Sequence, residues 1–221
     1  MEDVDSLKLP QLYIYNGKKL TLPETHFKHS VGGDSIEERT LVQVMYDEEH
    51  LVIEFECLDN PRTTQNHYRE HNTPMWNQEV FELFIAEGKE DPTRYIELEI
   101  NPNNALFAAH VSNPDKEGTQ LELDFIDIEA SGIQSEVEIN DKGHSWKGKL
   151  QIPFRILGGE TEKPSDVYRI NFYRIISNQD REEEFWEGSA EDCTYACWNS
   201  TLSPEQPCFH RSAFFGVLHL I

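Results

Sequence analysis

The chain has 221 residues, of which 38% are hydrophobic, and 19 basic against 41 acidic side chains give it a formal charge of −22. That length and apolar content suit one core-bearing domain spanning residues 1–221, and no apolar run approaches the roughly 20 residues of a membrane-spanning helix. So acidic a surface repels phosphate backbones and anionic lipid, which removes nucleic acid and membrane from the expected partners.

In chain order, the first strand is expected near Leu12–Tyr15. Leu41–Tyr46 is a β-branched and apolar run, and after the turn Asp47-Glu48-Glu49-His50 the residues Leu51, Ile53, Phe55 and Cys57 alternate with Val52, Glu54 and Glu56. A period of two places one set in a core. Val80–Ile85 turns Phe81, Leu83 and Ile85 one way and Val80, Glu82 and Phe84 the other. Ile96, Leu98 and Ile100 alternate with Tyr95, Glu97, Glu99 and Asn101, and Asn101-Pro102-Asn103-Asn104 is a turn that sends Ala105–Val111 back as a hairpin partner. Ile133–Ile139, Trp146–Ile152, Tyr168–Ile176 and Phe215–Ile221 complete the strands; Pro153 ends the second of these, and Phe154–Leu157 allows one helical turn. Short strands separated by turn chemistry, almost without 3.6-residue periodicity, predict an all-β, two-sheet antiparallel sandwich of immunoglobulin or jelly-roll type. Asn60–Trp76, Pro114–Glu122 and Asn178–His210 read as long loops, where a rigid sheet scaffold usually carries its binding site.

The four cysteines, Cys57, Cys193, Cys197 and Cys208, do not match the paired Cys-x2-Cys spacing of structural zinc. Cys57 reads as a small core residue, and Cys193 and Cys197 allow a disulfide in an oxidising compartment. Met1-Glu2-Asp3-Val4-Asp5 carries acid where a secretory leader carries Lys or Arg, so no leader is expected in this chain. The compartment stays open: extracellular or periplasmic if a leader was removed, cytoplasmic otherwise. The oligomeric state is equally open. Asn199-Ser200-Thr201 is a formal glycosylation sequon.

Three groupings could carry chemistry. Trp76, at the end of a polar loop, is followed six residues later by Glu82. An indole covers the C–H face of a pyranose and a carboxylate accepts from its hydroxyls, while the plainer reading is a Trp plugging the sandwich beside a solvated Glu. Glu97, Glu99 and Asn101 share one strand face at roughly 6.5 to 7 Å per step. They form either a solvated face or a polar concave site, and Glu82 with Glu97 or Glu99 also admits a glycosidase pair. Phe185–His210 holds Trp186, Tyr195, Trp198 and Phe209, as a lid or as a stacking wall. A Met/His haem set would draw on His67, Met75 and His110. There is no phosphate loop, nucleophile elbow or His-Glu-x-x-His motif.

The order of these pieces resembles the carbohydrate-binding module family 9-like domains, relatives of the DOMON sandwich. The matching segments are Val44–Ile53, Trp76 with Glu82 in Val80–Ile85, Tyr95–Asn101 before Pro102, Trp146–Pro153, Tyr168–Arg174, Trp198, Phe209–Arg211 and Phe214–Leu218. The resemblance implies a non-catalytic sugar site in which two tryptophans hold a glycan end. Trp76 matches the first, Trp198 is the candidate for the second, and Glu82 and Asn101 match residues that bind hydroxyls. Glu99 stands where the characterised binder has Arg, exchanging a donor cation for an acceptor anion. The resemblance also implies a structural calcium, without indicating its ligands, and association with glycoside hydrolases in carbohydrate catabolism.

Overall fold

The computed structural model describes residues 8–23, 27–140, 142, 144–158, 164–180 and 189–221. Two β-sheets face one another. The larger runs in the order β1 (Gln11–Ile14), β14 (Gly216–Leu220), β12 (Val167–Ser177), β6 (Val80–Glu87), β7 (Arg94–Ile100), β8 (Leu106–Ser112) and β9 (Glu122–Phe125). β13 (Cys193–Cys197) pairs with the far end of β12, and the two-residue β3 (Lys28–His29) pairs with β13. The smaller sheet runs β10 (Gln134–Asn140), β11 (Ser145–Pro153), β5 (His50–Cys57), β4 (Thr40–Tyr46) and β2 (Leu20–Thr21). Two four-residue helices, α1 (Ile128–Ser131) and α2 (Phe154–Leu157), sit at strand ends.

The alternation read from the sequence sets this architecture. Val42, Val44, Ile53, Phe55, Leu150 and Ile152 of the smaller sheet meet Phe81, Leu83, Ile85, Ile96, Leu98, Ile100, Ile170 and Phe172 of the larger in one buried cluster. Phe55 and Phe81 stack across the layers with ring centroids 3.9 Å apart. Gly148, opposite Phe55 on the neighbouring strand, is required because a Cβ there would collide with the Phe55 ring. Asp47 closes its hairpin through Oδ1, which accepts from the backbone N–H groups of Glu49 and His50 at 2.8 Å each.

Three features depart from the expected pattern. β1 pairs with β14 in parallel, Leu12 beside Leu218, so the sandwich is not wholly antiparallel. Residues 178–210 are not one loop, because Cys193–Cys197 form a strand held to β12 from Tyr173 to Ser177. The signal was present in the run Cys-Thr-Tyr-Ala-Cys, but the flanking Asn, Ser and Pro residues masked it. Glu122–Phe125 alternates Leu123 and Phe125 with two acids over only four residues, all of them exposed, and forms β9 by adding to the β8 edge.

At one end of the sandwich an ion pair is sealed in the core. Arg174 Nε donates to Glu79 Oε1 at 2.8 Å, and Trp146 Nε1 donates to the same oxygen at 2.9 Å. Asn60 Nδ2 serves Glu79 Oε2, while Arg174 Nη1 reaches the carbonyls of Arg39 and Leu58. These bonds tie the start of the loop after β5 to β6, β11 and β12.

Candidate functional site

The outer face of the larger sheet, turned away from the smaller one, carries a second buried cluster that includes Val80, Phe84, Tyr95, Phe107, Tyr173 and Phe209. Strand register places acids in the middle of it. One cross-strand row reads Phe107 on β8, Glu99 on β7, Glu82 on β6, Tyr173 on β12 and Cys197 on β13. The neighbouring row reads Ala109, Glu97, Phe84 and Asn171. Three carboxylates on two adjacent strands therefore meet, with one oxygen from each within 4.8 Å of the others.

These acids are not solvated. Glu82, Glu97 and Glu99 are 2%, 6% and 1% exposed. Burial pushes the Glu82 carboxyl well above the ordinary range, with the charge of Glu97 adding to the effect. Glu99 is raised in the same direction by burial, then by the charges of Glu82 and Glu97. Glu97 is pushed up to about 8 by burial, moderated by its hydrogen bond with Glu99. Glu82 Oε1 and Glu99 Oε2 are buried without a hydrogen-bond partner.

Above Glu82 and Glu97 opens a cavity of about 390 Å³, lined by rings and aliphatic chains: Trp76, Phe84, Phe107, Ile175, Tyr195 and Phe209 among them. Trp76 sits on a 3-10 turn, Met75–Asn77, anchored by the fully buried Met75. The turn is held by Gln78, whose Oε1 accepts from the His67 N–H at 3.0 Å and whose amide meets His67 Nδ1 at 2.8 Å. The indole is 39% exposed and lies edge-on to Phe107, centroids 5.6 Å apart. On the opposite flank Tyr195 meets Phe209 edge to face at 5.4 Å, and Phe209 stacks on Tyr173 at 4.3 Å. The segment 113–121 closes a third side. Gly118 (φ +77°) approaches so near to Cys208 and His210 that a Cβ would lie 2.7 Å from the His210 Cβ. His210, with Nδ1 2.7 Å from the Tyr95 hydroxyl, is depressed by burial to about 4 and is neutral at pH 7.

Of the residues singled out in the sequence, Trp76, Glu82 and Glu99 come together here, Trp76 and Glu82 in the cavity lining and Glu99 immediately behind. Asn101 shares the strand face but is spent on structure. Its Nδ2 donates to Asn66 Oδ1 at 3.0 Å and to the Tyr68 carbonyl at 2.9 Å, and its Oδ1 accepts from the Asn103 and Ala105 N–H groups. Trp198 is not a second wall. It packs edge-on to Phe172, 5.7 Å away, on the inner face of the larger sheet, over Gly216, where a Cβ would lie 2.6 Å from its ring. The reason is strand parity: Cys197 and Tyr195 point outward from β13, so the next residue but one in phase, not Trp198, would share their side. Tyr195 lines the same cavity as Trp76. Trp186 and Phe185 lie outside the described residues. Glu97, Phe107 and Phe209 complete the site; parity placed Glu97 on this face in advance, Phe107 joins it through its register opposite Glu99, and Phe209 arrives only through tertiary packing.

The other groupings do not assemble. His67 and Met75 lie on the outer side of the larger sheet, whereas His110 follows Leu106 and Ala108 on the inner-facing side of β8. The four cysteines are free. Cys193 and Cys197 are four residues apart on one strand, roughly 13 Å at the usual rise, beyond disulfide reach. Asn199 of the sequon is engaged, its Nδ2 donating to the Phe214 carbonyl at 2.7 Å.

No family model matches the chain. A protein of Arthroderma benhamiae described as an extracellular protein is 29% identical over 181 residues, covering 80% of this chain and 76% of the relative. A provisionally named carbohydrate-binding protein from Bacteroides uniformis superposes with a TM-score of 0.68 at 13% identity, over 97% of this chain and all of that one. A carbohydrate-binding module of family 9 from Caldicellulosiruptor kristjanssonii, solved with cellotriose and with glucose, gives 0.54 at 13% identity in both forms. Those matches cover 96% of this chain and 93% and 96% of the module. The chain therefore shares the two-sheet sandwich fold of these carbohydrate-binding structures.

Proposed function

We propose that the protein binds carbohydrate, without breaking bonds, in the cavity between Trp76 and Tyr195. The observation that carries this reading is a partly exposed indole beside buried carboxylates in a ring-lined cavity of about 390 Å³, a size within the usual range for small-ligand sites. Trp76, Phe107, Tyr195 and Phe209 offer flat faces and edges to the C–H side of a sugar ring, and Glu82 and Glu97 offer oxygens to its hydroxyls. The fold shared with sugar-binding modules supports the same reading. Hydrolysis would require an acid and a nucleophile or base on either side of the scissile bond, whereas Glu82, Glu97 and Glu99 all rise from one wall.

A glycan array followed by titration calorimetry on the hits tests the reading. Trp76→Ala is expected to weaken binding by about 2 kcal/mol, roughly thirtyfold, as for an aromatic anchor. The melting temperature should barely change, because the indole is 39% exposed. An array without a hit, or a hit whose affinity ignores Trp76→Ala, would refute it.

A further inference from the structure

Two oxygens of the carboxylate trio, Glu82 Oε1 and Glu99 Oε2, are buried and unpartnered. Folded proteins leave few such atoms without a hydrogen bond, and each one calls for a cause. The charge balance is equally lopsided. Among the described residues lining the cavity there is no Lys or Arg, and the lone imidazole, His210, is neutral. Arg174 is engaged with Glu79 on the other side of the sheet. Three acids have thus been gathered under aromatic rings with no cation of the protein's own to meet them.

From this juxtaposition we propose that the preferred ligand is a cationic sugar, an amino sugar whose ammonium group docks on Glu82, Glu97 and Glu99 while its ring lies against Trp76 and Tyr195. The proposal rests on the sugar-binding reading and narrows it. An ammonium group brings three donors; Glu82 and Glu97 line the cavity to accept them and Glu99 meets the same carboxylates from behind, and charge-assisted bonds of this kind are roughly twice as strong as neutral ones. The rings favour it as well, because a cation within about 6 Å of an aromatic face is attracted by the ring quadrupole. A sugar bearing only hydroxyls would meet the trio in its proton-holding state and gain no charge-assisted bond from it. A calcium ion fits less well: it takes six to eight oxygens, and the walls above the trio are mainly aromatic and aliphatic.

Matched β-linked oligomers of glucosamine, N-acetylglucosamine and glucose, equal in length and differing only at C2, provide the test by calorimetry at pH 6. The glucosamine oligomer is expected to bind at least tenfold more tightly than the other two. Glu82→Gln and Glu99→Gln, which keep the side-chain shape, should abolish that preference while the melting temperature stays at or above that of the parent. Binding should also release protons, seen as a dependence of the measured heat on buffer ionisation enthalpy. Equal or tighter binding of the neutral oligomers overturns this inference and leaves the sugar-binding reading standing. Absence of binding by all three and by every glycan on the array removes both. A melting temperature raised by calcium chloride and lost in Glu99→Gln, with no preference for glucosamine, assigns the trio to a metal ion and overturns it too.

Discussion

Replacing Glu97 with Gln should make the protein less sensitive to alkali and more stable above neutrality. In the folded chain burial raises Glu97 from an ordinary 4.5 to about 8. Between these values the folded state keeps a proton that the unfolded chain has released, so stability falls as pH rises. One retained proton corresponds to about 1.4 kcal/mol per pH unit, and the interval from 4.5 to about 8 sets an upper bound of roughly 5 kcal/mol. His210 works in the opposite sense. Its folded value of about 4 lies below the ordinary 6.5, so it adds stability as pH rises through that range and nothing further above it. The clean window is therefore pH 6.5–8, across which one proton's worth of slope is about 1–2 kcal/mol. Urea denaturation at half-unit steps from pH 5 to 8.5, on parent and variant, measures it. Subtracting the two curves cancels His210 and the general repulsion of a −22 chain. The difference should be smallest at pH 5, just above the unfolded carboxyl's 4.5, and should grow in the variant's favour toward pH 8, while Glu82 and Glu99 leave a shallower slope in the variant's own curve. A difference that is constant with pH, or that favours the parent at pH 8, would refute the assignment of a buried, proton-holding Glu97.

Glu79→Ala should cost about 3–5 kcal/mol in the same denaturation assay, because it leaves the Arg174 guanidinium and Trp146 indole N–H buried without their acceptor. A loss below about 1 kcal/mol would mean that the pair is solvated. Asn101→Ala should destabilise by about 2–4 kcal/mol through four lost hydrogen bonds that clamp the loop beneath Trp76. Asn101 being a direct ligand instead would show as weakened binding with unchanged melting. Trp198→Ala should lower stability by about 2 kcal/mol through lost packing on Phe172 and Gly216, and glycan affinity in the folded fraction should be retained.

The polar alternation of this chain was enough to determine which faces are apolar. Phe81, Leu83 and Ile85 on one strand and Ile96, Leu98 and Ile100 on the next can bury together in only one register, since a slip of one residue would send every side chain to the wrong side. That same parity put Glu82, Glu97 and Glu99 on the opposite face. What it left open was whether that face was wet. Water or a second apolar layer both tolerate a Glu at alternate positions of a strand, and the choice depends on segments distant in sequence. Here residues 58–79, 113–121 and 205–215 fold over the outer face and bury the acids, which converts a solvated row into a proton-holding trio with raised proton affinities. Asn101 and Trp198 show the same division from the other side. Their residue types suit a sugar, yet the Asn66 and Tyr68 groups that saturate Asn101, and the missing side chain of Gly216 that admits Trp198 to the inner face, come from chain 33 residues or more away in one case and 18 in the other. Local periodicity is set by geometry along one strand, whereas a side chain's exposure and its free hydrogen-bonding capacity are set by whatever the rest of the chain lays across it.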